Sequence, residues 1–240
     1  MMKDPSSPAA PFLTTRWTRV CLAKEDSEDG RRALSDLCEA YYAPVVAFLR
    51  YELKSPEAAQ DAAHAFFAGM LSGGAIRWAQ EERGRFRSYL LGAVKNFLSH
   101  QRVAEHRLKR GGRAEQVSLD DAEATQVEDS GRLSPDAAYD RQWALTVLDH
   151  AMAELREECR KQEKIEFLDM VQPWLTGTAT HGEQAELAER CGMTAPAFKM
   201  AVQRLKHRFR QCVKAQVAGT LTDPTQVAEE MHSLFAALGG

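Results

Sequence analysis

The sequence predicts an all-α fold, and three kinds of observation support that prediction. Apolar residues recur every three or four positions along several long segments, as they do on one face of a helix. A hydroxyl residue followed within two positions by proline marks helix starts at Ser55 and Thr194, and a glycine marks a helix end at Gly192. No segment shows the strict alternation of apolar and polar residues that is typical of a half-buried strand. We therefore expect helices and connectors alone.

Length and composition fit a water-soluble globular protein. The chain has 240 residues, of which 44% are hydrophobic and 27% charged, enough for one or two domains with their own cores. Its net charge of -3 conceals a segregation, because residues 83 to 113 hold nine Lys or Arg against one acid, whereas residues 115 to 140 hold eight acids against one Arg. The charge distribution favours two domains that flank an acidic connector.

The cysteines and the N-terminal residues indicate the cellular compartment in which the protein is expected to occur. Five cysteines are scattered along the chain without a CxxC pair, which is typical of reduced core cysteines. The start of the chain lacks the apolar run of a signal peptide, and no later segment is apolar for long enough to span a membrane. We expect a cytoplasmic protein without a membrane association.

The apolar periodicity and the positions of Gly, Pro and helix-capping residues divide the chain into five segments. We predict a disordered N-terminus at 1–13, a helical domain at 14–110, a linker at 111–138, a second helical domain at 139–217 and a helical tail at 218–240. The first domain is expected to contain a short helix before residue 22, a polar connector at 25–30, and helices at 33–54, 55–70 and 86–107, with Pro44 kinking the first of these three. In the second domain, apolar stripes begin at Trp143 and Ile165. The tail helix is expected to be capped by Asp223, with Pro224 in its first turn.

Residues 184 to 213 have the pattern of a helix-turn-helix motif. Small apolar residues precede Gly192, and a second apolar stripe begins at Phe198 after the predicted cap at Thr194. The opposite face of the second helix is basic, which suits a helix that lies in a major groove, although a helical hairpin with a solvated basic face has the same pattern. The candidate DNA-binding residues are Thr194, Lys199, Gln203, Arg204, Lys206 and His207.

The helix predicted at 86–107 interleaves aromatic, basic and amide residues. Such a mixture suits a surface that holds phosphates and accommodates unstacked bases, while its apolar stripe is expected to be ordinary core. The candidate nucleic-acid-binding residues here are Arg83, Arg85, Arg87, Lys95, Asn96, Ser99, His100, Arg102 and Lys109.

Four segments together resemble bacterial RNA polymerase sigma factors of the extracytoplasmic-function type. The segment ALSDLCEAYYAPVVAFL is similar to the first helix of their region 2, SPEAAQDAAHAFFAGML to their clamp-binding helix and FRSYLLGAVKNFLSHQR to their promoter-melting helix. The segment AELAERCGMTAPAFKMAVQRLKHRFR is similar to the helix-turn-helix of their region 4, which reads the −35 element. The resemblance covers about three fifths of the chain, with the segments in the family's order. Ala58 and His64 depart from the acidic and amide residues that are usual in the clamp-binding helix.

The resemblance implies a function and partners. It implies a protein that binds the clamp region of the β′ subunit of core RNA polymerase, melts the −10 region of promoter DNA with the first domain, and is a candidate for control by an anti-sigma factor. The implied polymerase-binding residues are Asp61, His64, Phe66 and Phe67. Asn96 and His100 lie four residues apart, on one helical face, with Ser99 beside them, and are expected to receive a flipped base during promoter opening.

Other functions are weighed against this one. A conventional helix-turn-helix regulator would bind duplex operators without polymerase, and an interaction protein would only dock a partner through the first domain. No HExxH, Walker or GxSxG motif occurs, and the histidines are scattered, so we expect no catalytic activity, no metal site and no cofactor.

Overall fold

The computed structural model describes residues 17–72, 76, 79, 85–109, 133–176, 184–221 and 223–239. These residues form helices and no strand, which confirms the predicted all-α class. The helices are α1 (Trp17–Leu22), α2 (Glu28–Leu53), α3 (Pro56–Leu71), α4 (Phe86–Lys109), α5 (Pro135–Lys161), α6 (Ile165–Thr176), α7 (Gln184–Arg190), α8 (Ala195–Ala218) and α9 (Val227–Gly239). A 3-10 turn at Pro224–Gln226 precedes α9. Among the residues described, no helix is long and apolar enough to cross a membrane.

The chain divides into two compact units. Leu22–Trp143 with Gly239–Gly240 make up one, called here the N-terminal unit, and Met1–Cys21 with Ala144–Leu238 make up the other, called the C-terminal unit. The division falls within α5, so the first turns of this helix belong with the residues before them. The predicted disordered segment at 1–13 and most of the predicted linker, residues 111–132, lie outside the described part of the chain.

α2 begins earlier than the sequence analysis expects. Residues 28–30, predicted as connector, are its first turn, since the side chain of Ser27 accepts a hydrogen bond from the backbone N–H of Gly30. Glu28 and Asp29 add negative charge at the helix N-terminus, where the helix dipole favours it. Gly30 is required here because a Cβ would lie 2.2 Å from the backbone oxygen of Glu25. The helix continues through Pro44.

α2 and α3 pack together as an antiparallel pair, and α4 packs against this pair. Lys54 ends α2 in the left-handed conformation, and Ser55 caps α3 as predicted, by accepting from the backbone N–H of Ala58. Phe66 of α3 makes an edge-to-face contact with Phe97 of α4, with ring centroids 5.6 Å apart. This contact joins α3 to α4.

The first turns of α5 add a further wall to the N-terminal unit. Trp143 and Tyr139 are fully buried, and the hydroxyl of Tyr139 donates to the backbone oxygen of Arg87 over 3.1 Å. The guanidinium of Arg87 lies 4.4 Å from the centre of the Trp143 ring and forms an ion pair with Asp140. α5 is thereby anchored to α4 by both apolar and charged groups.

In the C-terminal unit, α6, α7 and α8 enclose a small apolar core. Its buried members are Val171, Leu187, Ala188, Phe198 and Val202. Phe198 makes edge-to-face contacts with Phe167 and Trp174 at centroid distances of 5.9 and 6.4 Å. This core holds the two helices of the predicted motif together.

Candidate nucleic-acid interface

The turn between α7 and α8 has the geometry that the sequence predicts. Gly192 has φ +62°, a left-handed conformation that favours glycine, and the backbone N–H of Met193 donates to the oxygen of Ala188 over 2.8 Å. Thr194 caps α8, its hydroxyl accepting from the N–H of Ala197 at 3.4 Å. Thr194 is exposed, and because its hydroxyl only accepts in the cap, the O–H group can still donate to a phosphate group.

Most of the predicted α8 residues face away from the apolar core. Lys199, Gln203, Arg204 and His207 are exposed, and Lys206 is half-buried. The ring Nε2 of His207 lies 2.8 Å from the side-chain nitrogen of Gln211, one turn further along. The geometry brings these side chains onto one surface, which we call the α8 surface.

One exposed residue of the α8 surface has no place in the sequence analysis. Met200 is 59% exposed, between Lys199 and Gln203 along the chain. Met200 is not identified when only the basic residues of the helix are considered. Met200 lies two residues after Phe198 and two residues before Val202. Two residues correspond to about 200° of helix rotation, so the sequence places Met200 on the face opposite to these two core residues.

Arg208 lies at the edge of the α8 surface and is already paired. Its guanidinium binds both carboxylate oxygens of Glu158 in α5, in the bidentate geometry that makes arginine pairs strong. This hydrogen bonding holds the pKa of Glu158 below its usual value. Arg208 therefore joins α8 to α5 within the C-terminal unit.

A pocket of about 660 Å³ opens between α3 and α4. Its wall combines aromatic rings with polar groups, from Phe66, Gly69, Met70, Ser88, Tyr89, Gly92, Ala93, Asn96, Phe97 and His100. Asn96 and His100, predicted from their spacing to act together, are both exposed residues in this wall. Ser99 is exposed but is absent from the wall. Sequence reasoning missed the aromatic side of the pocket, because it placed Phe66 at a polymerase contact and Phe97 in the core.

Two glycines, Gly69 and Gly92, lie in the wall of this pocket. A Cβ at Gly69 or at Gly92 would have no atom within 4 Å, so neither glycine is required by close packing. Both lie inside helices, where glycine is less favourable than alanine by about 1 kcal/mol. A larger side chain at either position would extend into space that is empty in the structure.

The basic residues predicted around α4 differ in their availability. Arg87 is only 11% exposed and binds within the protein, so it is left out of the candidate DNA surface. Lys95 is 47% exposed and pairs with Asp136 over 2.7 Å, and Arg102 pairs with Glu52 over the same distance. Arg85 is half-buried and already has an interaction within the protein. Arg83 and the side chain of Lys109 lie outside the described residues.

The α3 residues implied to bind polymerase separate into two groups. Asp61 and His64 are exposed on one side, whereas Phe66 and Phe67 are both buried. His64 stacks on Tyr42 of α2, and its Nε2 lies 2.9 Å from the Tyr42 hydroxyl. A docking surface here would therefore consist of Asp61 and His64 of α3 with Tyr42 of α2, and the two phenylalanines would support it from inside.

Within the described residues, Glu154, Glu158 and Cys212 lie close enough together to hold a metal ion. Both carboxylates have other partners, because Glu158 binds Arg208 and Glu154 accepts a hydrogen bond from Gln216 at 2.9 Å. Burial raises the pKa of the Cys212 thiol to about 11, which disfavours the thiolate that a metal requires. The cluster is best explained as part of the α5 and α8 packing.

Comparison of the chain with protein-family models, with curated proteins and with solved structures gives no match.

Proposed function

We propose that this protein is a sigma-type initiation factor that binds core RNA polymerase in the cytoplasm and directs it to promoters. The α8 surface binds duplex DNA at the −35 element, and the N-terminal unit opens the −10 region. The observation that carries the proposal is the pocket between α3 and α4, because a protein that only binds duplex operators has no need to receive an unstacked base.

The pocket offers both kinds of interaction that a flipped base requires. Unstacking a base costs a few kcal/mol, which new stacking and hydrogen bonds offset. Tyr89 and Phe97 provide aromatic surface, and Asn96 and His100 provide polar groups for the edge of the base.

The displaced DNA strand must be bound by basic side chains that can leave their carboxylate partners and bind phosphate groups instead. Lys95 and Arg102 are each about half exposed, and their ion pairs with Asp136 and Glu52 are of the exposed kind, whose net contribution to stability is about 0 to 1 kcal/mol. A phosphate group competes with a carboxylate at such a site at little cost. These two residues are therefore the candidates for strand contacts on α4.

Duplex binding rests on the α8 surface. A capped helix with Lys199, Gln203 and Arg204 exposed in its first three turns suits entry into a major groove, where amides and guanidinium groups read base edges. Polymerase docking rests on Asp61 and His64. An anti-sigma factor is a further candidate partner, carried by the resemblance alone.

The second candidate function is a conventional helix-turn-helix regulator. The observation that favours it is the α7 and α8 motif with its own apolar core, which needs no polymerase to bind duplex DNA. Such a regulator would leave the DNA paired.

Co-purification and strand opening separate the two functions. We expect the full-length protein to co-purify with core RNA polymerase, and the complex to make thymines in a cognate promoter reactive to permanganate. Duplex binding without polymerase association and without permanganate reactivity would leave the conventional regulator as the correct function.

We predict that Arg204→Ala weakens binding to a cognate duplex by about 1–3 kcal/mol if the guanidinium reads a base. Lys161→Ala is the matched control, because it removes one exposed positive charge from α5 in the same unit. The measurement is a titration of labelled duplex at low salt. Equal affinity of the Arg204 variant and the control would remove Arg204 from the interface.

We predict that Asp61→Lys reduces association with core polymerase while the helical content stays unchanged, since exposed substitutions usually shift stability by less than about 0.5 kcal/mol. Asp26→Lys is the control, as this fully exposed aspartate of the same unit lies outside α3. Pulldown yield and far-UV circular dichroism are measured together. Wild-type recovery of the Asp61 variant would mean that polymerase docks elsewhere.

A further inference from the structure

We infer that Met200 is a specificity residue that contacts the C5-methyl group of a thymine in the major groove. The inference rests on the proposed binding of duplex DNA by α8 and adds a base preference to it. Arginine, lysine and amide side chains read the hydrogen-bonding groups of bases, whereas the thymine methyl is recognised by apolar contact.

The position of Met200 on α8 is the first argument. Two residues before it and two after it lie Phe198 and Val202, whose side chains point into the core of the C-terminal unit. Met200 therefore points directly away from that core, at the centre of the exposed face. Gln203 and Arg204, three and four residues further along, are its neighbours on that face, and both are exposed.

The first turn of α8 is the second argument. Ala195, Pro196 and Ala197 are exposed and short, so no bulky side chain holds the start of the helix away from the groove floor. Recognition helices contact base edges mainly through residues near their N-terminus. Met200, in the second turn, is the first long apolar side chain that such a helix would bring to the bases.

The chemistry of methionine is the third argument. A single exposed apolar side chain is common on protein surfaces and means little alone. Met200 is 59% exposed within a surface otherwise made of charged and amide groups, where covering it with DNA removes apolar area from water. Its unbranched, polarisable side chain adapts to a methyl group at several depths.

The test uses the full-length protein with core polymerase and duplexes selected from a random library. Each thymine of the selected −35 segment is replaced in turn by deoxyuridine, which removes the methyl group alone. We expect one or two positions where the replacement weakens wild-type binding about fourfold, the factor to which one buried methyl group corresponds. At the same positions, Met200→Ala should bind thymine and deoxyuridine duplexes equally.

Leu145→Ala is the matched control, because it truncates another exposed apolar residue of the same unit and should keep the fourfold difference. A deoxyuridine penalty that survives in Met200→Ala, or no penalty at any position in the wild type, would overturn the Met200 assignment while leaving DNA binding intact. Failure of the wild type to select any duplex would overturn both the proposed function and this inference.

Discussion

Filling the pocket between α3 and α4 is expected to reduce promoter opening strongly without unfolding the protein. In the double variant Gly69→Leu and Gly92→Leu, two side chains occupy the space in front of Tyr89 and Phe97. Stacking of a base on an aromatic residue contributes about 1–3 kcal/mol, so its loss lowers the population of open promoter complexes about 5- to 140-fold. Permanganate reactivity of promoter thymines in the polymerase complex measures this population.

The double alanine variant is the matched control. Replacing Gly69 and Gly92 with alanine raises helix propensity at both positions, as leucine does, but leaves the pocket nearly empty. We expect the alanine variant to be more stable than the wild type and to open promoters normally. If the leucine variant also retained wild-type reactivity, the flipped base would bind outside this pocket.

Phe198→Ala is expected to have the largest effect on stability. The ring is fully buried and contacts both Phe167 and Trp174, so its removal should cost about 3–5 kcal/mol. That is a large part of the stability of a small domain, which is about 5–15 kcal/mol in all. We expect duplex DNA binding to be lost together with the folded helix-turn-helix.

Urea unfolding and hydrogen exchange measure this effect. Hydrogen exchange should accelerate in α6, α7 and α8 and stay at the wild-type rate in α3, since α3 belongs to the N-terminal unit. Phe198→Leu is the control, because it keeps most of the apolar volume and should retain folding and DNA binding. Wild-type urea resistance of the alanine variant would show that the core of the motif does not depend on this ring.

The sequence predicts well those features that are set by local chemistry. The cap and proline at Ser55 and Pro56, the left-handed Gly192 and the cap at Thr194 all occur in the structure as predicted. Each of these depends on the conformational preference of one residue and its near neighbours. The start of α2 was missed because the side-chain cap at Ser27 precedes the apolar stripe.

Features that depend on distant partners were predicted less well. Arg87 reads as one basic residue of a nucleic-acid-binding helix, yet it binds Asp140 and Trp143, 53 and 56 positions along the chain. Helical spacing alone does not distinguish an arginine beside an aromatic ring from one in water. The resemblance implies a docking role for Phe67, whereas in the structure this side chain is buried.

The candidate site shows the same division. The pairing of Asn96 with His100 follows from a spacing of four residues, and both line the pocket. The opposite wall comes from Phe66, Gly69 and Met70 of α3. These residues meet α4 through tertiary packing, which the apolar periodicity of either helix does not predict. The polar residues of this site lie on one helix and can therefore be predicted from their spacing, whereas the apolar residues that a second helix contributes cannot.

The short connection between α2 and α3 has a consequence for the order of events during synthesis. Only Lys54 and Ser55 separate the two helices, so closing this loop costs little conformational entropy. The two helices can pair as soon as both have left the ribosome, while Phe97, the α4 partner of Phe66, has not yet emerged from it. The nascent chain therefore presents an apolar helical hairpin at this stage, and chaperones that bind such surfaces are expected to act on it before α4 arrives.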